Sequence, residues 1–173
     1  MIPKPENCIV LDFETTGLDP LKDRIIEVYG VKLGFDFEIE SDYYSLVHYE
    51  GKLPPVITAI TGIDSEKLAM EGRPSEEVFR EFAIFCDNRI LVGHNIIKFD
   101  FPFLRAELNR IGLDLFNEVW DTLEESRKIF KFYGYGLEQM AKHLGIYYDR
   151  LHNARSDVKV TLELFRHLSK TSD

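Results

Sequence analysis

The sequence has few cysteines and no long apolar run, and each absence argues against a class of protein. Cys8 and Cys86 are the only cysteines among 173 residues, and both stand in apolar segments far apart. We therefore expect buried thiols rather than a disulfide framework. No apolar stretch reaches the roughly 18 residues of a transmembrane helix, and the first residues lack the apolar core of a signal peptide. These absences predict a cytoplasmic protein without a membrane partner.

Basic residues are also scarce relative to acidic ones. The chain has 21 Lys and Arg against 30 Asp and Glu, for a formal net charge of −9. Tight nonspecific binding to duplex nucleic acid needs a basic surface, which this balance argues against. A short single-stranded end needs fewer phosphate contacts. The charge therefore favours a small substrate footprint, or a partner that helps to hold the substrate.

The order of apolar patterns predicts an α/β domain. Apolar, β-branched runs at 8–13, 25–33 and 37–49 predict three strands, with a hairpin turn at 34–36 and an end to this half at 51–55. Short strands at 90–93 and 116–120 then alternate with helical patterns at 65–70, from residue 75, and at 101–111, 122–130, 137–144 and 154–168. We expect a mixed sheet flanked by helices, with residues 1–173 as one domain and its core at about 8–168.

Two acidic residues at the end of the first predicted strand are the sharpest feature. Alternate side chains of a strand point the same way, so Asp12 and Glu14 share one face and Leu11 and Phe13 the other. Adjacent carboxylates repel each other unless a cation lies between them, and hard oxygen ligands suit Mg²⁺ or Mn²⁺. A solvated strand end with two surface acids is the alternative.

The residues that follow form a small loop. Thr15, Thr16, Gly17 and Leu18 combine hydroxyls, free backbone N–H groups and a glycine. Such a loop is able to approach a phosphate. A plain turn would have the same composition.

A second polar cluster lies between the predicted strand at 90–93 and the helix at 101–111. Sites in open α/β sheets gather at the carboxyl ends of strands, which is where this cluster falls. Asp100 would lie at the start of the helix, where a carboxylate is favoured even without a ligand, so a capping role stays open. For His94 and Asn95 we favour structural hydrogen bonding within the loop.

The third cluster precedes the final predicted helix. Asn153 is a suitable N-cap, which places Asp157 in the first turns of that helix and His152 on the loop before it. Imidazole exchanges a proton near neutral pH, which suits general-base catalysis. An exposed histidine before a capped helix is the alternative.

Together these clusters resemble the three motifs of the DEDDh exonuclease family. The motifs are DFETTG at 12–17, His94 and Asn95 with Phe99 and Asp100, and His152 with Asp157. The stretches 24–27, 60–63, 120–122 and 137–146 also resemble the family, so the likeness runs from about residue 8 to 168. The family includes DnaQ-type proofreading exonucleases, RNase T and oligoribonuclease.

The resemblance implies a fold, a cofactor and a set of site residues. The fold would be ribonuclease H-like, as in DnaQ-like exonucleases, with a five-stranded mixed sheet flanked by helices. Two divalent ions, Mg²⁺ or Mn²⁺, would be held by four carboxylates, and His152 would be the general base. The implied metal ligands are Asp12, Glu14, Asp100 and Asp157. The tyrosine-type subclass would have tyrosine where this chain has Asn153, so the histidine type is expected.

The resemblance also implies how the substrate is bound. Thr15, Gly17 and Leu18 would contact the terminal nucleotide, with Phe99 packed near it. Leu18 and Phe99 could equally belong to the core. The pocket beside Leu18 is expected to be narrow and to admit only a frayed 3′ end.

The expected activity is 3′→5′ hydrolysis of single-stranded or frayed 3′ ends, with DNA favoured and nucleoside 5′-monophosphates as products. Proofreading beside a DNA polymerase subunit is one role that this activity would serve. An exoribonuclease acting on short RNA is the alternative within the same fold, because the 2′-OH contacts that distinguish the sugars cannot be identified from the sequence. A non-catalytic nucleic-acid-binding module is disfavoured, since all five catalytic positions carry competent residues.

Overall fold

The computed structural model describes residues 1–171, and the sheet at its centre has five strands. The strands are β1 (Cys8–Thr15), β2 (Ile25–Leu33), β3 (Ile39–Leu46), β4 (Ile90–Gly93) and β5 (Val119–Asp121). The helices are α1 (Pro55–Thr61), α2 (Ser65–Glu71), α3 (Ser75–Cys86), α4 (Asp100–Arg110), α5 (Thr122–Ile129), α6 (Leu137–Leu144) and α7 (Ala154–Lys170).

The strand order is β3-β2-β1-β4-β5, which makes the sheet mixed. β1 pairs with β2, and β2 with β3, in antiparallel fashion, whereas β4 is parallel to both β1 and β5. The antiparallel strands follow directly from the opening hairpins, and the parallel strands are joined through helices. The predicted mixed five-stranded sheet with flanking helices is therefore confirmed.

The two faces of β1 explain where the helices lie. Ile9, Leu11 and Phe13 point into a core cluster with side chains of α3 and α4. Cys8 and Val10 point the other way, into a cluster with side chains of α7. Because side chains alternate along a strand, Asp12 and Glu14 continue the face that α7 covers.

Several element bounds differ from the predictions. β1 runs on through both acidic residues to Thr15 instead of breaking at them, because Glu14 still pairs with Glu27 of β2. β3 is shorter than the predicted 37–49, and β5 lies at 119–121 instead of 116–120. The hairpin between β2 and β3 includes a short 3₁₀ turn over Phe35–Phe37.

Helix α1 was absent from the predictions. Its sequence, PVITAIT, is rich in β-branched residues, which have low helix propensity. Proline has no backbone N–H, and Pro55 is tolerated because an N–H at the first helical position would have no partner within the helix. Gly62 ends the helix in the left-handed conformation, with φ of 76°. The proline at its start and the glycine at its end, rather than a periodic apolar pattern, therefore define this helix.

Both cysteines are buried and free, as predicted. Burial raises the pKa of each thiol to about 12. Among residues 1–171 no helix combines the length and apolar character that a bilayer crossing requires.

Candidate active site

Carboxylates from two distant segments meet at the carboxyl end of β1. Oxygens of Asp12, Glu14 and Asp157 lie within 4.8 Å of one another. Asp12 and Glu14 come from β1, and Asp157 comes from the first turn of α7, the helix that covers this face of the sheet. The two β1 residues share one face of the strand, as predicted, and α7 provides the third carboxylate opposite them.

Asp100 adjoins this cluster without being one of the three that meet most closely. It is the first residue of α4 and is 2% exposed. One of its oxygens, Oδ1, accepts a hydrogen bond from the Phe13 N–H at 3.2 Å. Asp100 is the strongest charged influence on Asp12, so its carboxylate faces the same site. The hydrogen bond ties the start of α4 to β1.

Burial and mutual repulsion disfavour the ionised form of this cluster. Burial first, and then the neighbouring carboxylates, raise the pKa of Asp12 well above its usual range. The same causes raise the pKa of Glu14 to about 8. Burial raises the pKa of Asp100 to about 7 and that of Asp157 to about 6, although N–H donors to both side chains oppose the shift.

These residues fit a divalent cation by their chemistry. The ligands on offer are oxygens only, which suits a hard cation such as Mg²⁺ or Mn²⁺. None of the ion pairs formed within residues 1–171 involves Asp12, Glu14, Asp100 or Asp157. A partly buried group of like charges that forms no ion pair is stabilised when a metal ion supplies the opposite charge.

The pKa shifts predict how stability depends on pH when no metal is present. The raised pKa values of Glu14, Asp100 and Asp157, at about 8, 7 and 6, mean that the folded chain binds these protons more tightly than the unfolded chain, whose carboxyls titrate near 4. Metal-free stability should therefore fall as pH rises from about 5 to 8. Melting temperatures in EDTA across this range measure the effect.

Added Mn²⁺ should reverse this dependence, because a cation favours the ionised carboxylates. At about 100 times its dissociation constant the ion would stabilise by roughly 2.7 kcal/mol, or about 5–10 °C in melting temperature. An Asp157→Asn variant should show a shallower slope in EDTA and a smaller response to Mn²⁺. A metal-free stability that rises steadily from pH 5 to 8 would contradict the assignment.

His152 lies at the open side of the cluster, on the loop before α7. Its side chain is exposed, and its backbone N–H donates to Asp157 Oδ1 at 3.1 Å. Its φ of 66° places it in the left-handed region, which is uncommon for residues other than glycine, although histidine, asparagine and aspartate adopt it more often than the rest. Asn153 caps α7 as predicted, with its side chain accepting from the Ser156 N–H. A cavity of about 330 Å³ borders His152 and Asp157 on the α6 side.

His94 and Asn95 have the structural role that the sequence favoured. His94 is hydrogen-bonded through Nδ1 to the Thr122 hydroxyl at 2.9 Å and through Nε2 to the Tyr135 carbonyl at 2.7 Å. Burial lowers the pKa of His94. The Asn95 N–H donates to Asp121 Oδ1, which also holds the start of α5. These bonds fix the loop that leads to Asp100.

The predicted substrate residues are in different environments. Thr15 is buried, and its hydroxyl donates to the Gly17 carbonyl at 2.6 Å. A Cβ on Gly17 would lie 2.4 Å from the Asp23 carboxylate. The packing of the loop itself therefore explains why this position is a glycine. Leu18 is 83% exposed, so it is not a core residue. Phe99 is half-buried, packs on the core and lies 5.1 Å from the Phe103 ring.

Glu27 was assigned no role from the sequence, although it lies beside the cluster. It is 6% exposed, faces Glu14 across the β1–β2 pair, and contributes to the raised pKa values of Asp12, Glu14 and Asp157. The sequence does contain one indication of a role for Glu27, because it is a single acidic residue inside the apolar run IIEVYGV.

The fold has solved counterparts. Exonuclease I of E. coli, solved in complex with a dT13 oligonucleotide, superposes with a TM-score of 0.85 at 19% sequence identity, over 95% of this chain and 41% of that one. The mixed sheet with its flanking helices is therefore of the ribonuclease H-like class found in exonucleases, as predicted.

Sequence comparison then identifies the family. The RNase T exonuclease model matches residues 9–165. A PolC-type DNA polymerase III of Thermotoga petrophila is 39% identical over 158 residues, which are 91% of this chain and 11% of that protein. The 3′-5′ exonuclease DinG of Bacillus subtilis is 35% identical over 160 residues, 91% of this chain and 17% of that protein.

The chain belongs to the RNase T exonuclease family. The predicted enzyme class, an exonuclease, is confirmed at the level of this family. The chain spans about a tenth of the length of the PolC-type relative and less than half of exonuclease I.

Proposed function

We propose that this chain removes nucleotides from the 3′ ends of single-stranded or frayed DNA, releasing nucleoside 5′-monophosphates. The observation that carries the proposal is the convergence of Asp12, Glu14 and Asp157, with oxygens within 4.8 Å, beside an exposed histidine. Membership of the exonuclease family supports the reaction type. Residues 8–168 would act as one domain, in the cytoplasm.

In this proposal each polar residue of the site has a distinct task. Asp12, Glu14, Asp100 and Asp157 would hold two divalent cations, Mg²⁺ or Mn²⁺. Bound there, the cations would stabilise the charge that develops on the scissile phosphate. His152 would take the proton from the attacking water, which its position on the open side of the site allows. The cavity beside His152 and Asp157 would leave room for that water on the α6 side of the site.

The comparisons favour DNA over RNA as the substrate. Relatives of this chain include DNA polymerases of the PolC type, and exonuclease I has been solved with a dT13 oligonucleotide. The net charge of −9 agrees with a short single-stranded footprint more than with extended duplex binding. We further propose proofreading beside a DNA polymerase as the setting, because the PolC-type relatives contain a region similar to this chain.

Time-resolved product analysis tests this function. Oligonucleotides of DNA and RNA, labelled at either the 5′ or the 3′ end, are incubated with Mg²⁺, Mn²⁺ or EDTA. We expect a descending ladder from 5′-labelled DNA, immediate release of mononucleotide from 3′-labelled DNA, and no reaction in EDTA. Faster degradation of RNA would favour the exoribonuclease alternative. Cleavage in EDTA, or internal cuts, would contradict the proposal.

Leu18 offers a test of substrate binding. It is 83% exposed in the loop that follows β1, so we propose that it packs on the terminal base. Leu18→Ala should remove roughly 1–2 kcal/mol of apolar contact and raise KM about 5- to 30-fold, with kcat within twofold. Ile84→Ala is the matched control, because Ile84 is 78% exposed on α3. An unchanged KM in Leu18→Ala would remove this residue from the binding site.

A further inference from the structure

Glu27 links the sheet to the start of α7. It lies on β2 directly opposite Glu14, so its side chain points to the same face as the acidic cluster. Its Oε2 accepts a hydrogen bond from the Ala154 N–H at 3.0 Å, and its Oε1 accepts one from the Tyr44 hydroxyl at 3.1 Å. Glu27 is buried and Glu14 is partly buried. Two acids directly opposite each other on neighbouring strands are unfavourable, so the position calls for a compensating role.

The Ala154 N–H is one of the donors at the start of a helix that have no partner within the helix. Asn153 caps the Ser156 N–H, and Asp157 accepts from the His152 N–H, but these bonds stay within the segment 152–157. The bond to Glu27 comes from 127 positions away, and it fixes the segment to the sheet.

This segment needs to be held. His152 has a left-handed backbone conformation, with φ of 66°. Such conformations cost about 1–3 kcal/mol and persist only where the surroundings enforce them. His152 and Asp157 flank Ala154, so a shift of the first turn of α7 would move both side chains away from β1.

An aromatic and a basic residue add a second contact between the sheet and the first turn of α7. The Tyr44 ring, whose hydroxyl binds Glu27, carries the Arg155 guanidinium 4.1 Å from its centroid. Arg155 follows Ala154 in α7, so β3 and β2 both contact the same turn. The cation over the ring stabilises this contact.

A direct role for Glu27 in binding metal is less consistent with these contacts. Both of its oxygens already accept hydrogen bonds, and it is not one of the three residues whose oxygens meet within 4.8 Å. Its contacts are those of a support for the segment that carries His152 and Asp157.

We propose that Glu27 is a positioning residue of the nuclease site: it holds the first turn of α7 so that His152 and Asp157 stay in register with Asp12 and Glu14. The inference rests on the proposed function for its effect on catalysis. Its effect on the segment 152–157 can be measured without catalysis.

The test compares Glu27→Ala, Glu27→Gln and Tyr44→Phe. Glutamine keeps an acceptor for Ala154 and a second polar group for Tyr44, so it separates the hydrogen bond from the charge. We expect Glu27→Ala to lower kcat about 10- to 100-fold, as loss of a group that orients metal ligands does, with KM within threefold. Glu27→Gln should stay within about threefold of wild type in both constants. Tyr44→Phe leaves the Ala154 bond intact and should also stay close to wild type.

Amide hydrogen exchange of the peptide that covers residues 152–157 is the second readout. Exchange should accelerate in Glu27→Ala and stay near the wild-type rate in Glu27→Gln. Wild-type kcat or unchanged exchange in Glu27→Ala would overturn the proposal, as would a Glu27→Gln variant as impaired as Glu27→Ala. If the wild-type chain degraded no oligonucleotide, the proposed function would fail, and exchange would still decide whether Glu27 holds this segment.

Discussion

Asp12→Asn should abolish exonucleolytic turnover. Oxygens of Asp12, Glu14 and Asp157 lie within 4.8 Å of one another, and the charges of Asp100, Asp157 and Glu14 all raise the pKa of Asp12. Loss of its charge would weaken cation binding and, with it, several kcal/mol of stabilisation of the phosphoryl charge, so we expect kcat to fall by about 1,000-fold or more. Rates are measured on a 5′-labelled oligonucleotide with saturating Mg²⁺.

The same variant should fold at least as well as the wild type when metal is absent. Asparagine is similar in size and carries no charge, so the repulsion that raises the pKa of Asp12 disappears. In EDTA at pH 8 we expect an equal or higher melting temperature, and Mn²⁺ should raise it less than in the wild type. Asp114→Asn, which makes the same change at an exposed loop position, is the control. Activity close to wild type in Asp12→Asn would refute the metal assignment.

His152→Asn should lower kcat strongly while metal binding is kept. Asparagine tolerates the left-handed conformation of this position better than alanine, so the loop should keep its shape. The backbone N–H that donates to Asp157 also remains. Loss of a general base costs about 100- to 10,000-fold in rate, and we expect kcat to fall within that range.

Calorimetric titration with Mn²⁺ distinguishes the role of His152 from that of a ligand. The dissociation constant of His152→Asn should lie within about threefold of wild type, because the exposed imidazole is not part of the carboxylate group. His48→Asn, at another exposed histidine, should leave both kcat and binding unchanged. If His152→Asn lost Mn²⁺ binding along with activity, the residue would be a ligand or a structural support instead of a base.

Much of the site could be predicted because it depends on local rules. Strand alternation places Asp12 and Glu14 on one face, and the N-cap at Asn153 places Asp157 at the start of α7. The resemblance to the exonuclease family then joins these segments, which local patterns by themselves cannot do. The convergence within 4.8 Å agrees with that expectation.

What the sequence did not reveal depends on contacts between distant residues. The hydrogen bond from Phe13 to Asp100 and the one from Ala154 to Glu27 span 87 and 127 positions, and no local pattern encodes either. Local patterns also could not predict whether Leu18 and Phe99 are buried, since an apolar residue in a loop can face the core or the solvent. Helix α1 was overlooked because its β-branched residues are typical of strands.

Anomalous scattering from crystals grown with Mn²⁺ and a nucleoside 5′-monophosphate tests the central claim most directly. The account predicts manganese peaks among the oxygens of Asp12, Glu14 and Asp157, with the phosphate beside them and His152 facing it. A map in which these carboxylates bind no manganese, or in which the ions and nucleotide lie elsewhere on the surface, would contradict it.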